Sequence, residues 1–97
     1  MKYRVLFAPA ASKDLEDIFI YLMPVVGLDR ARAYVSEIEA HCRGFSTFPK
    51  RGSRRDDLWP ELRLVGYRRK VTIAFQVKGE VVRIIRVFHR GREVRIR

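Results

Sequence analysis

Apolar positions change their spacing along this chain, and each change marks an element. In YRVLFA (3–8), Val5 and Phe7 fall on one face of a strand-like stretch. In SKDLEDIFIYLM (12–23) the period lengthens, and Leu15, Ile18, Phe19 and Leu22 follow the i, i+3, i+4, i+7 spacing of one helix face. Asp14, Glu16 and Asp17 then fall in its first turns, where negative charge suits the positive end of the helix dipole. Pro24 makes Met23 a poor helical residue, and Gly27 can supply a turn. A second helix follows, with Asp29 as its N-cap and Ala31, Val35, Ile38, Cys42 and Phe45 recurring every three or four residues. Two amphipathic helices joined by a Pro/Gly turn read as an antiparallel hairpin.

After the polar stretch STFPKRGSRRDD (46–57), a loop by its Pro, Gly and Ser content, the period becomes two. ELRLVGY (61–67) is a short strand. In KVTIAFQVK (70–78), Val71, Ile73, Phe75 and Val77 alternate with Lys70, Thr72, Ala74, Gln76 and Lys78. Lys78-Gly79 marks a tight turn, and EVVRIIRVFH (80–89) returns with apolar residues on both faces: Val82, Ile84 and Phe88 on one, Val81, Ile85 and Val87 on the other. A strand apolar on both faces is expected at the centre of a sheet. The first strand must pair with this meander, because a lone strand is not stable. The expected fold is α+β, ordered β-α-α-β-β-β, with the helical hairpin packed on a small antiparallel sheet and residues 1–97 forming one domain.

Charge sharpens the picture. Lys and Arg exceed Asp and Glu by ten, and the excess lies entirely in residues 50–97. A one-sided positive field raises association rates with anionic partners, such as nucleic acid or an acidic protein. The single cysteine, Cys42, excludes an internal disulfide and a cysteine-rich metal site. The opening apolar run is too short for a signal peptide, and IFIYLMPVVGL falls short of a membrane span, so a soluble, cytoplasmic protein is expected.

The inventory of chemical groups is small. No glycine-rich phosphate loop, metal-ligand spacing or cofactor motif occurs, so no metal and no cofactor are expected. His41 reads as a helix-flank residue and Cys42 as a small core hydrophobe. His89 ends the last strand among Arg86, Arg90 and Arg92. Cutting RNA through its 2′-hydroxyl would need a base, an acid and cations together. Cations abound, whereas Glu61, Tyr67 and Lys70 qualify as proton-transfer partners only where folding brings them to His89. Trp59, on a loop edge beside Pro60, reads either as an interface anchor or as the closing residue of a core. Lys50, Arg51, Arg54 and Arg55 read either as a phosphate grip or as a solvated loop.

SKDLEDIFIYL, the FPKRG loop, the Leu62-Arg63 pair and the ending RVFHRGRE together resemble the ParE branch of the ParE/RelE toxin superfamily, in the right order over nearly the whole chain. The resemblance implies a RelE/ParE-like fold and a toxin of a bacterial type II toxin–antitoxin pair, of the kind that maintains plasmids or chromosomes. ParE-like members are described as poisons of DNA gyrase, whereas RelE-like relatives cut messenger RNA on the ribosome. Arg63 matches a basic position shared across the superfamily, and His89 matches a histidine of many ParE-like endings. Phe75 stands where many relatives carry tyrosine, and the ending REVRIR has none, so gyrase inhibition without a catalytic residue is expected. The alternative, an endoribonuclease, would use Arg63, Lys70 and His89. Target contacts are expected at Arg63, Arg69, Arg86, His89, Arg90 and Arg92. A ParD-like antitoxin is the expected partner in a hetero-oligomeric complex, with contacts at Leu15, Ile18, Phe19, Leu22 and Trp59. Apolar residues on the first helix spread beyond one stripe, which leaves surface for such a partner.

Overall fold

β1 (Arg4–Phe7) passes through a single residue, Ala8, into α1 (Pro9–Val26), and α2 (Leu28–Arg43) returns beside it. A short 3-10 turn (Gly44–Ser46) leads to β2 (Ser53–Arg54), β3 (Leu62–Tyr67), β4 (Val71–Lys78) and β5 (Val81–His89). These elements come from a computed structural model that describes residues 2–90. No helix among the described residues is long and apolar enough to cross a membrane.

The helices differ from the expected spans at their ends. Pro9 sits in the first turn of α1, where its missing N–H would lack a partner anyway, so the helix starts ahead of Ser12. Asp14, Glu16 and Asp17 therefore lie beyond the first turn and do not cap the dipole there. Pro24 falls in the last turn, and the helix runs through it to Val26. Gly27, with φ 92°, then ends α1 by donating its N–H to the Met23 carbonyl at 2.9 Å, and its own carbonyl accepts the Ala31 N–H at 3.0 Å. Gly27 is thus the N-cap of α2, and Asp29 lies in the first turn rather than capping it.

The sheet order is β1-β5-β4-β3-β2, which confirms β5 as an inner strand and adds the small β2 at the far edge. The sheet is mixed rather than antiparallel, because β1 pairs parallel to β5, from Arg4 opposite Val81 to Phe7 opposite Ile84. The reason lies at Ala8. The chain enters α1 there without turning back, so reversals occur only from α1 to α2, α2 to β3, β3 to β4 and β4 to β5. An even number of reversals returns β5 to the direction of β1.

Val71, Ile73 and Phe75 of β4 pack under the hairpin with Ala11, Leu15, Ile18, Ile38, Cys42 and Phe45. The opposite sheet face carries a smaller cluster of Leu62, Ala74 and Phe88. The division of β5 between these faces departs from simple alternation. Ala74 pairs with Arg86 but Phe75 pairs with Ile84, which leaves Ile85 as a bulge. Val82 and Ile84 face the helices before the bulge, and Val87 does after it. Phe88, expected beside Val82 and Ile84, consequently moves to the other face, and Val87 takes its place.

Asp14 holds this bulged segment. Its carboxylate, 7% exposed, accepts Arg86 Nε at 2.7 Å, Arg86 Nη2 at 2.9 Å and the backbone N–H of Val87 at 2.8 Å. β1 stops at Phe7, and the last parallel rung is the Ala8 N–H on the Ile84 carbonyl at 2.8 Å. Beyond it the Val87 N–H has no strand to pair with, and the carboxylate takes that place. At the far edge, Gly52 (φ 76°) lets the FPKRG loop approach β3, since a Cβ there would lie 2.2 Å from the Leu64 carbonyl oxygen.

Asp14→Ala removes the partner of a half-buried guanidinium and of a backbone donor at once. It should lower unfolding free energy by about 3 kcal/mol or more, measured by urea denaturation. Asp14→Asn, which keeps an acceptor for Val87, should lose less.

Candidate functional site

β5 ends opposite the start of β4, with His89 paired to Val71. The Arg90 N–H donates to the Lys70 carbonyl at 2.7 Å, and Arg90 turns out of the strand at φ 60°. The bulge at Ile85 sets the side of the sheet on which His89 lies. It is 8% exposed, edge-on to Tyr21 (centroids 6.1 Å apart) and to Tyr34 (5.6 Å). Tyr21 arrives there because Asp14, Ile18 and Tyr21 are spaced four and three along α1, one stripe over β5. The Arg90 guanidinium lies 5.2 Å from the centre of the Tyr21 ring.

Between the turn end of the hairpin and these strand ends lies a cleft of ≈ 240 Å³, lined by Leu22, Val26, Arg30, Tyr34, Lys70, His89 and Arg90. Its floor is apolar and aromatic, and its rim is cationic. Burial pushes the Tyr34 hydroxyl above its ordinary value, with the Arg68 charge opposing, so it is neutral and protonated at physiological pH. Some arginines elsewhere are matched to nearby carboxylates: Arg43 to Glu39, Arg54 to Asp56, Arg55 to Asp57, Arg68 to Glu37 and Arg86 to Asp14. Arg30, Lys70 and Arg90 form no ion pair with a described carboxylate.

The sequence-derived residues separate into groups. Lys70, His89 and Arg90 meet at the cleft, and Arg69 is exposed in the turn that precedes Lys70. Arg63 lies elsewhere. It pairs with Phe75, four residues along β4 from the Val71 partner of His89 and on the opposite side of that strand. This places it about 13 Å further along the sheet and two strands away. Glu61 accompanies Arg63 beside Lys50 and Arg54 at that other end. Tyr67 stacks on His41 with ring centres 4.2 Å apart, and Phe75 is fully buried against Phe45. Arg86 is held by Asp14, with its guanidinium 5.1 Å from the Phe88 ring centre. Arg92 lies outside the described residues.

Of the apolar set, Leu15 and Ile18 are buried in the core, Phe19 and Leu22 are half-buried, and only Leu22 lines the cleft. Trp59 is partly exposed on the other sheet face, in a hollow with Pro9, Ile85 and Arg86. Sequence reading missed Arg30, Tyr34 and Val26, and took Tyr21 only as part of the first helix's apolar surface, not as a neighbour of His89. A signal for Tyr21 was present, since Asp14, Ile18 and Tyr21 share a helix stripe with a carboxylate in it. Arg30 and Tyr34 carried none, because their place follows from how α2 crosses the strand ends.

Comparison with known proteins agrees with this architecture. The family described as "ParE toxin of type II toxin-antitoxin system, parDE" matches residues 5–94. A curated relative, Toxin ParE1 of Mycobacterium tuberculosis (strain H37Rv), is 29% identical over 97% of this chain and 96% of its own. Among solved structures, the chromosomal ParDE system from P. aeruginosa superposes with a TM-score of 0.79 at 21% identity, covering 91% of this chain and 96% of that one. The toxin–antitoxin complex RelBE2 from Mycobacterium tuberculosis gives 0.60 at 20% identity, covering 93% and 100%.

Two outcomes follow from titratable groups at the far end of α2. Burial pushes the Cys42 thiol up to about 12, so it should resist iodoacetamide at pH 8 in the native protein and react fully after denaturation, as read by mass spectrometry. Burial, assisted by the Arg51 charge, lowers the His41 imidazole below its ordinary value of 6.5. The unfolded chain then binds the proton more readily, so stability held above pH 6.5 should fall as pH drops below it. Urea midpoints from pH 7.5 to 5 test this, and His41→Phe should flatten the dependence.

Proposed function

Because the chain belongs to the ParE toxin family of type II toxin–antitoxin systems, we propose that it is the toxin of such a pair, acts in the cytoplasm by inhibiting DNA gyrase, and is held inactive by a cognate antitoxin. One observation carries the choice of binding over cutting: the nuclease set is not assembled. His89 and Lys70 share a cleft, but Arg63 stands at the other end of the sheet. His89 is buried edge-on between two tyrosine rings, and the nearby Asp14 is engaged by Arg86 and the Val87 N–H. A general base needs a free lone pair within reach of the proton it removes, and this arrangement favours packing over proton transfer.

In this reading Arg69, Lys70 and Arg90 form the basic rim that grips gyrase or its cleaved DNA, and His89 supports Arg90 from beneath. Arg63, beside Lys50 and Arg54 at the far end of the sheet, belongs to a separate contact. The apolar residues at the turn end of the hairpin serve the antitoxin. A partner that binds only the native toxin raises its stability in proportion to affinity and concentration.

Purified chain should inhibit supercoiling by gyrase and trap cleaved DNA with it, while induced cells acquire no new messenger RNA ends. Charge reversal at Arg69 and Arg90 together should reduce the inhibition about tenfold or more. Ribosome-dependent mRNA cleavage without any effect on gyrase would overturn the assignment.

A further inference from the structure

We propose that the pocket among Lys50, Arg54 and Arg63, at the end of the sheet away from His89, binds a phosphate group. The pocket holds ≈ 240 Å³ and is lined as well by Tyr3, Glu61 and Val77. Arg63 lies between Leu62 and Leu64, which join the small cluster on the far sheet face, so its side chain emerges on the helix side. Tyr3 and Val77 pack against the main core there and give the pocket its apolar part. The FPKRG loop brings Lys50, and β2 brings Arg54. The proposal gives the separate contact of Arg63 a ligand, and it stands or falls apart from the gyrase reading.

Two unfavourable features meet at this pocket. β2 sets Arg54 directly opposite Arg63, and like charges facing each other across a strand pair are destabilising. Glu61 enters β3 with φ 60°, a backbone region that suits glycine and strains other residues. Asp56 holds both in place. It accepts Arg54 Nε at 3.0 Å, Arg54 Nη2 at 2.9 Å and the Glu61 N–H at 2.9 Å. That ion pair is exposed, so it offsets little of the repulsion. Lys50 and Arg63 form no ion pair with a described carboxylate. An anion between the three cations turns their repulsion into attraction, and strained backbone gathered at a pocket is the mark of a place that a ligand completes. Phosphate suits it better than a carboxylate does. It carries more charge and spreads its acceptor oxygens tetrahedrally, so that each cation can take its own oxygen in a charge-assisted hydrogen bond. Glu61 is the one acid in the lining, and it tempers the affinity.

The test titrates the isotopically labelled full chain with sodium phosphate, at constant ionic strength against chloride, and follows the backbone amides by NMR. The amides of Gly52, Arg54 and Arg63 should shift together and saturate at about millimolar phosphate, while those of Lys70 and Arg90 do not saturate with them. The double variant Lys50→Gln with Arg63→Gln should weaken binding about tenfold or more, whereas Arg32→Gln with Arg83→Gln, an equal loss of charge elsewhere, should stay within about twofold of native. Arg63→Gln removes a like-charged cross-strand neighbour, so its urea midpoint should not fall, which separates loss of binding from loss of fold. Glu61→Gly should tighten binding and raise the midpoint, because it deletes the opposing charge and relieves the backbone. Competition then identifies the source of the phosphate. Displacement by a nucleoside monophosphate alone supports a free phosphate ester, and displacement by a duplex DNA oligonucleotide supports a backbone phosphate. No saturable shift, saturation at Lys70 and Arg90 instead, a double variant within about twofold of native, or competition by neither compound would overturn the proposal. None of these readouts uses gyrase or an antitoxin, so the functional assignment is tested separately.

Discussion

A single buried carboxylate aligns the first helix with the last strand. Asp14 replaces the strand neighbour that β5 loses where β1 ends, and it does so for Val87, just past the bulge. A carboxylate taken out of water is stabilised only by full hydrogen bonding and an opposite charge. The bidentate Arg86 and the Val87 N–H meet both needs. The consequence reaches beyond stability. A sheet position shifted by one residue turns every side chain to the other face, so fixing Val87 also fixes the side on which His89 emerges. The same helix stripe sets Tyr21 above it. The cleft is therefore positioned from a point two helical turns away.

The distribution of charge then distinguishes structural arginines from those available to a partner. Arg43, Arg54, Arg55, Arg68 and Arg86 are each satisfied within the fold. Most of these pairs are exposed and contribute little to stability, but they neutralise their surroundings and leave the field concentrated where cations stand without carboxylates. The positive half seen in the sequence thus divides in three dimensions: Lys70 and Arg90 line the cleft, whereas Lys50 and Arg63 stand at the other end of the sheet. A shared fold does not choose a target. In the proposed function the separation of Arg63 from His89 favours gripping over cutting.

Much of the fold was legible in the chain. The helical stripe of Leu15, Ile18 and Leu22, the alternation of Val71, Ile73 and Phe75, and the doubly apolar β5 each report burial directly. What could not be read was anything dependent on a single residue of phase. The Ile85 bulge leaves no mark in composition, yet it exchanges Val87 and Phe88 between faces. The parallel pairing of β1 depends on one connecting residue, Ala8, which looks like any other short loop. Of the site, His89, Lys70 and Arg90 were visible as residue types. The family resemblance groups Arg63 with them, and sequence order does not show that it pairs with the far part of β4; Arg30 and Tyr34 escape notice because no local pattern marks a helix residue that ends beside a strand terminus.

Among the described residues, β5 is both the last strand and the one that β1 and β4 flank. During synthesis the N-terminal strand therefore has no sheet to join, and the hairpin no complete floor, until residues near 89 have emerged. Non-local closure of this kind comes late in folding, since the entropy of a long loop must be overcome before the pairing forms. The cleft does not exist in a nascent chain, because His89, Arg90 and Lys70 come together only in that final step. Translation itself thus sets the order of assembly: among the described residues, the side of the cleft that holds His89 and Arg90 is completed last.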